Sequence, residues 1–413
     1  MKPHKRTVLL LALLLALLPH AALAHTREEV RAAWAAIDAP ASSPYAEAPV
    51  ASAPYVAGEL ARDRKSEALG LLNFARWLTG LEPVKESAIY DYQCQHGAVL
   101  LAALDYVDHD APRPEDMDRD FYNSAHNATR AGNIARFNWY RDNILREGVA
   151  YFLRDDGEAN LPALGHRRWA LDPLMAATGF GLAGSESGMS YVVMYAHDLG
   201  NADASWERVL WPAEGDFPAE LIHSHLAWSV TLNPACYDVA SLAPEITLTE
   251  TVSGLSFRFR PADGEGDGFC AVNTEGYGPG PCLIFRPDFT GTDFADYEQN
   301  QCWQVRIDGL TGPDGAPRPL EYEVRMVSLS VQDAVNVEIT PLNATLRPAQ
   351  ALQLSATVVP AYADDLTVLF RSTDETVATV TPSGLVTALA PGSCEIIAAT
   401  PNGCEDACQI TIK

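Results

Sequence analysis

The sequence predicts a multidomain chain: an α+β layered domain followed by two all-β sandwiches. Three observations carry that prediction. Apolar residues recur at helical spacing between Ser66 and Leu171, two strand-like runs follow, and period-2 alternation then dominates to the C-terminus. A chain of 413 residues is also too long for one hydrophobic core.

The first 24 residues read as an export signal. Lys2, Lys5 and Arg6 precede an apolar run from Val8 to Leu18, and Ala22-Leu23-Ala24 offers the small residues that a signal peptidase accepts. The run is shorter than the roughly 20 residues of a membrane span, so cleavage after Ala24 is expected, with no transmembrane segment left. Cleavage takes three bases and no acid from a net charge of −25, leaving −28. Such a surface repels nucleic acid, which is bound by Lys and Arg neutralising phosphates. It equally disfavours a polybasic membrane anchor. Eight cysteines in an exported chain predict disulfides, with Cys270–Cys282 and two of Cys394, Cys404 and Cys408 as candidates. Cys94 falls on an apolar helical stripe and reads as a core thiol.

Residues 25–65 open with a short helical patch and continue as a Pro/Ala/Ser-rich arm. From Ser66, Leu71, Phe74, Ala75 and Leu78 mark a first helix that Gly80 stops. Ser87–Val107 and Arg141–Leu153 read as further helices, and a short one is expected near Gly165–Leu171. TGFGLA and SYVVMYA are strand-like runs separated by the turn-rich GSESGM. Residues 199–330 alternate in short runs such as EITLTETV and CWQVRIDGL, hence a β-sandwich. Residues 334–413 repeat that pattern within the size of a compact Ig-like module. Asp263-Gly264-Glu265-Gly266-Asp267-Gly268 approaches a Ca²⁺-loop spacing, but a Gly-rich turn between strands explains it more simply.

Polar and aromatic residues concentrate in the first domain. Asp108-His109-Asp110-Ala111-Pro112 follows the second helix, then Asn133-Ile134-Ala135, the acids Asp155, Asp156 and Glu158, and finally GHRRWALDP from Gly165. With LLNFARWLTGL and TGFG, these motifs in this order resemble the CAP superfamily of cysteine-rich secretory, antigen-5 and pathogenesis-related (SCP-like) proteins, in its bacterial secreted branch. The resemblance spans residues 66–198 and implies an α/β/α sandwich with a cleft where His109 and His166 meet. It also implies a cleft tetrad of two histidines and two acids able to hold a divalent cation. His109 and His166 match the histidines, and Asp155, with Asp156 beside it, is nearest to one acid. The other acid position is Gly132. Two imidazoles and one carboxylate would make a minimal Zn²⁺ site of His109, His166 and Asp155 with an open position. Arg167 is a candidate for pairing with an acidic group of a partner, or for an internal salt bridge.

A nucleophile is harder to find. Cys94 has no motif around it, and Ser124 near His126 lacks the strand–turn–helix setting of a nucleophile elbow. No H-E-x-x-H, P-loop or dinucleotide signature occurs. Residues 334–413, with RSTDETVATV and GLVTALAPG, resemble a bacterial Ig-like domain of group 2, a spacer or adhesive module. The reading favoured is a secreted, non-enzymatic binding protein that uses its cleft for a small apolar, peptide or cell-envelope ligand. It would be released, or periplasmic in a two-membrane cell. The alternatives are a cation-dependent hydrolase (peptidase) with metal on His109 and His166, and a structural surface protein with a vestigial cleft.

Overall fold

A computed structural model describes residues 24–40, 43–138, 142–240, 242–261 and 265–413. The export signal therefore lies outside the described residues up to Leu23, as do Arg141 at the head of the third expected helix and Asp263-Gly264 of the acidic turn. Most regular structure is β, in several sheets, and the chain divides into two compact units, up to Leu329 and from Ser330. The segment 66–198 and, as far as Leu329, the segment 199–330 both lie in the first unit.

That unit begins with helix α1 (Arg27–Ala35), whose Thr26 and Glu29 form a reciprocal capping box. Before it, His25 stacks on Trp77 at 3.6 Å and bridges to Gly215, tying the start of the chain to the later β-region. Helix α2 (Arg62–Leu78) ends before Gly80, which takes the left-handed backbone (φ 72°) the stop requires. Helix α3 (Ala88–Leu104) starts on the Ser87 cap, as its spacing predicts. Helix α4 (Arg119–Ala131) was not foreseen, because it buries only small residues, Ala125, Ala128 and Thr129. Helices α5 (Ile144–Arg154) and α6 (Gly165–Ala170) are the other α-helices of this unit among the described residues.

A three-stranded antiparallel sheet sits among these helices, with Ser190–Tyr195 between Gly132–Phe137 and Phe180–Gly184. Alternation along its strands sends side chains two ways. Ala135, Phe137, Leu182, Val192 and Met194 share a core with α2 and α5, whereas Ile134, Ala183, Tyr191 and Val193 share one with α3 and α4. Gly181 lets α3 lie directly on the sheet, because a Cβ there would stand 2.0 Å from the Cys94 carbonyl oxygen. Gln95 of α3 then both donates to and accepts from the Leu182 backbone, satisfying that strand's outer edge.

The Asn and Arg of LLNFARWLTGL are structural staples. Asn73 exchanges two hydrogen bonds with the Val84 backbone. Arg76, fully buried, donates to the carbonyls of Glu82, Ala170, Asp172 and Met175, and so fixes α2 to the end of α6.

The β-region is a sandwich. One sheet orders Gly268–Asn273, Cys282–Pro287, Trp228–Leu232 and Arg208–Trp211; the other runs Glu265–Gly266, Ser256–Arg260, Glu245–Glu250, Cys302–Asp308, Leu320–Val327 and Gly215–Pro218. Glu265–Gly266 pairs antiparallel with Phe259–Arg260. Trp228, Trp303, Phe285 and Phe259 fill the space between the sheets.

The second unit is a β-module with its own core, built on Val337, Ile396, Ile410 and Val386. Its largest sheet orders Asn343–Leu346, Glu405–Ile412, Gly392–Ala399 and Leu369–Ser372.

The expected disulfides are corrected by the ladders, and all eight cysteines are free thiols. Cys270 lies opposite Phe285 and Cys282 opposite Asn273, a three-residue offset of about 10 Å along the strands. That exceeds the roughly 7 Å limit for a bridge. Cys394 and Cys408 face Ile410 and Ile396, not each other, and both are buried in the module core. Cys94 is the core thiol its stripe suggested, and burial raises its pKa well above the ordinary value.

Candidate functional site

Helix α6 is too short to bury one whole face, and its six residues divide between two neighbours. Arg167 and Arg168 point into the sandwich, while His166 and Trp169, three apart and so on one side, point the other way.

His166 is set by Asp155. That residue caps α5 in the left-handed region (φ 49°), which turns its carboxylate back toward α6. Asp155 Oδ1 lies 3.0 Å from His166 Nδ1 and accepts from Asn160 Nδ2 at 3.0 Å. Asp155 Oδ2 accepts the Arg167 backbone N–H at 3.3 Å. Asn160 Nδ2, which can only donate, lies 3.0 Å from the same His166 Nδ1, so the carboxylate and the amide both address that nitrogen. Asn133 donates to the His166 carbonyl at 2.8 Å, which fixes the helix start to the sheet. The Tyr151 and Phe152 rings flank the imidazole at 6.0 and 5.3 Å. Asp156, next in the chain, is exposed.

His109 is exposed beyond α3 and donates from Nδ1 to the Thr129 carbonyl at 2.7 Å, which leaves its Nε2 as the open nitrogen. His197 lies near it. Desolvation first, and the proximity of His109 second, hold the His197 imidazole below its usual value. The His197 ring packs on Trp169 at 4.0 Å. Trp169, His197 and Asn160 were missed by sequence reasoning. The i,i+3 spacing of His166 and Trp169 was the available signal for the first, and nothing local marked the other two.

Among the described residues no group of three or more His, Cys, Asp or Glu side chains is arranged to hold a metal ion. Asp155 is occupied by His166, Asn160 and the α6 backbone. Gly132 cannot be replaced by an acid without moving backbone, because its Cβ would meet the Ala128 oxygen at 2.6 Å and the Met194 oxygen at 2.9 Å.

Arg167 is corrected as a ligand contact. It is 1% exposed and donates to the carbonyls of Leu153, Arg154 and Ala227 and to Ser229 Oγ, with its guanidinium 5.7 Å from the Trp211 ring. Burial lowers its pKa to about 10. Arg168 likewise reaches Asn273 and the carbonyls of Ala163, Glu275 and Gly280. Both arginines bind the helical layer to the sandwich. Ser124 is turned onto its own helix, donating to the Asp120 carbonyl, and His126 pairs with Asp110.

Residues 333–410 match the family model of the bacterial Ig-like domain (group 2). No curated protein matches the chain. Among solved structures, an EHEC O157:H7 intimin mutant aligns at 20% identity over 18% of this chain and 45% of its own, with a TM-score of 0.16. The N-terminal part of the bacterial S-layer protein SbsC aligns at 13% identity over 45% of this chain and 41% of its own, TM-score 0.18. A complex of Dpr11 IG1 with DIP-gamma IG+IG2 aligns at 9% identity, 48% and 92% coverage and TM-score 0.24. The chain thus spans less than half of the intimin and S-layer chains.

Proposed function

We propose that this chain is an exported bacterial binding protein of the CAP type, which takes a ligand in the cleft between His109, His197, Trp169 and His166 and carries an Ig-like module as spacer or adhesive element. Support for the CAP reading comes from the sheet with helices on both faces and from motif residues that serve as staples, Asn73, Arg76 and Arg167. Support for the extracellular setting comes from the export-type N-terminus and the Ig-like match. No helix among the described residues is long and apolar enough to cross a membrane.

One observation carries the choice of binding over hydrolysis. The His197 ring packs on the Trp169 indole at 4.0 Å near His109, whose Nε2 is left open by the Nδ1 bond to the Thr129 carbonyl. Imidazole edges and an indole face recognise a ligand that is largely apolar with one or two hydrogen-bonding groups.

The test is native mass spectrometry and tryptophan fluorescence of the intact chain against extracted envelope lipids and short apolar peptides, beside a Trp169→Ala/His197→Ala variant. Saturable binding that weakens about tenfold or more in the variant is expected. Equal binding by both proteins would return the cleft to a vestigial role. Stoichiometric Zn²⁺ uptake lost in His109→Ala/His166→Ala, with peptide cleavage, would restore the hydrolase.

A further inference from the structure

A cavity that none of His109, His166, Trp169 and His197 lines lies where the loop after α5 meets the sandwich. Its volume is about 820 Å³, within the range that holds ligands, and its lining includes Glu158, His225, Arg286, Asp288, Phe289 and Phe294. The sandwich builds most of it. Strand Cys282–Pro287 delivers Arg286 at its end, and the turn that follows carries Asp288 and the two phenylalanines. The pairs Gly268↔Pro287 and Phe269↔Arg286 keep this wall a continuous ladder.

The chemistry of the lining is selective. Arg286 Nη1 donates to Glu158 Oε1 at 2.9 Å and to the His225 carbonyl at 3.3 Å, so the exposed Glu158 offsets only part of its charge while other donor hydrogens of the fork stay available. Asp288 is exposed. Hydrogen bonds from Thr290 hold its carboxyl below the usual carboxylate range, so it presents an acceptor. Phe289 and Phe294 stack at 4.0 Å and are half-buried, their inner surfaces packed on Tyr297 and Trp303.

Charged acceptors and a net charge of −25 oppose an anion. The Arg286 guanidinium on the same wall opposes a cation. A predominantly polar lining opposes a lipid chain. A neutral molecule that both donates and accepts along its length, and offers C–H faces to aromatic rings, satisfies every wall. We infer that this cavity is a binding site for a neutral saccharide of two or three sugar units. Its hydroxyls bridge Asp288, Glu158 and Arg286, and one ring lies on Phe294. The inference is independent of the cleft reading, since none of these side chains contributes to the histidine site.

The experiment is saturation-transfer NMR and calorimetric titration of the full chain with cellobiose, maltotriose and chitobiose, repeated on Asp288→Asn and Phe294→Leu. Asp288→Asn alters one exposed carboxylate and leaves the core alone, so it guards against a folding defect. At least one of the three sugars is expected to bind, about tenfold more weakly in each variant, with the melting temperature of Asp288→Asn unchanged. Absence of binding by all three sugars at concentrations on the order of 10 mM would overturn the proposal. So would an affinity in both variants unchanged from that of the parent chain, or binding of the tripeptide Lys-Ala-Lys in place of any sugar.

Discussion

Arg167 shows how a residue next to a catalytic-looking histidine can be wholly structural. Its guanidinium is enclosed by carbonyls from two parts of the unit, so removing it strands several buried acceptors at once. Arg167→Met, which keeps the stem's volume, is therefore expected to destabilise the first unit by about 3–5 kcal/mol in urea unfolding. His166, partly buried on the other side of the helix, should keep its contact with Asp155 in any fraction that folds. Asp172 gives a pH signature of opposite type. Burial pushes its carboxyl up to about 6, against the Leu174 amide and the Arg76 guanidinium, which both lower it. With a folded value above the unfolded one, the native state retains a proton between about pH 4 and 6 that the unfolded chain releases. The stability supplied by this group is thus fully present below about pH 4 and lost as pH rises through 6. Asp172→Asn keeps the acceptor for Leu174 N–H and removes the charge. Its urea midpoint relative to the parent should rise between pH 4 and 7, by a free energy on the order of 2 kcal/mol.

At the scale of elements, what the sequence disclosed depended on where each element buries its apolar atoms. Helices α2 and α3 announced themselves through Leu71, Phe74, Cys94 and Leu101, large or continuous stripes that fall at 3.6-residue spacing. Helix α4 did not, since its buried face is alanine and threonine, and the neighbouring Gly97 and Ala128 allow an approach too close for larger side chains. Strand Gly132–Phe137 was hidden for another reason: it is buried on both faces and shows no alternation. The site was half legible. His109 and His166 could be named from motif order, yet the partnership of Asp155 with Asn160 depends on a left-handed cap whose geometry no spacing rule conveys. His197 comes to Trp169 through the sheet, beyond the reach of local pattern. The expected disulfides failed because a shared hairpin does not set register, and a three-residue offset decides whether two thiols can meet.

For the whole molecule, the relevant division is at residue 330. The Ig-like module has its own apolar core and its own sheets. Residues 330–413 expressed alone are accordingly expected to unfold cooperatively, with the midpoint they show inside the full chain, as followed by circular dichroism in urea. Loss of cooperativity in the isolated piece would mean that the first unit supports it. The first unit admits no comparable cut at 198/199, because Arg167 and Arg168 take their acceptors from residues 227–280.

That unit is also stitched between its extremes. His25 bridges Gly215, strand Gly215–Pro218 pairs in parallel with Leu320–Val327, and Arg31 donates to the Ser328 carbonyl. A ribosome adding about 5–20 residues per second must therefore work for many seconds after α1 emerges before the last strand exists to receive it. Through that interval the nascent chain lacks the closing ladder and stays unlocked. Under the export proposed above, that interval would keep the chain fit for a translocon, which a chain closed early would reach already folded.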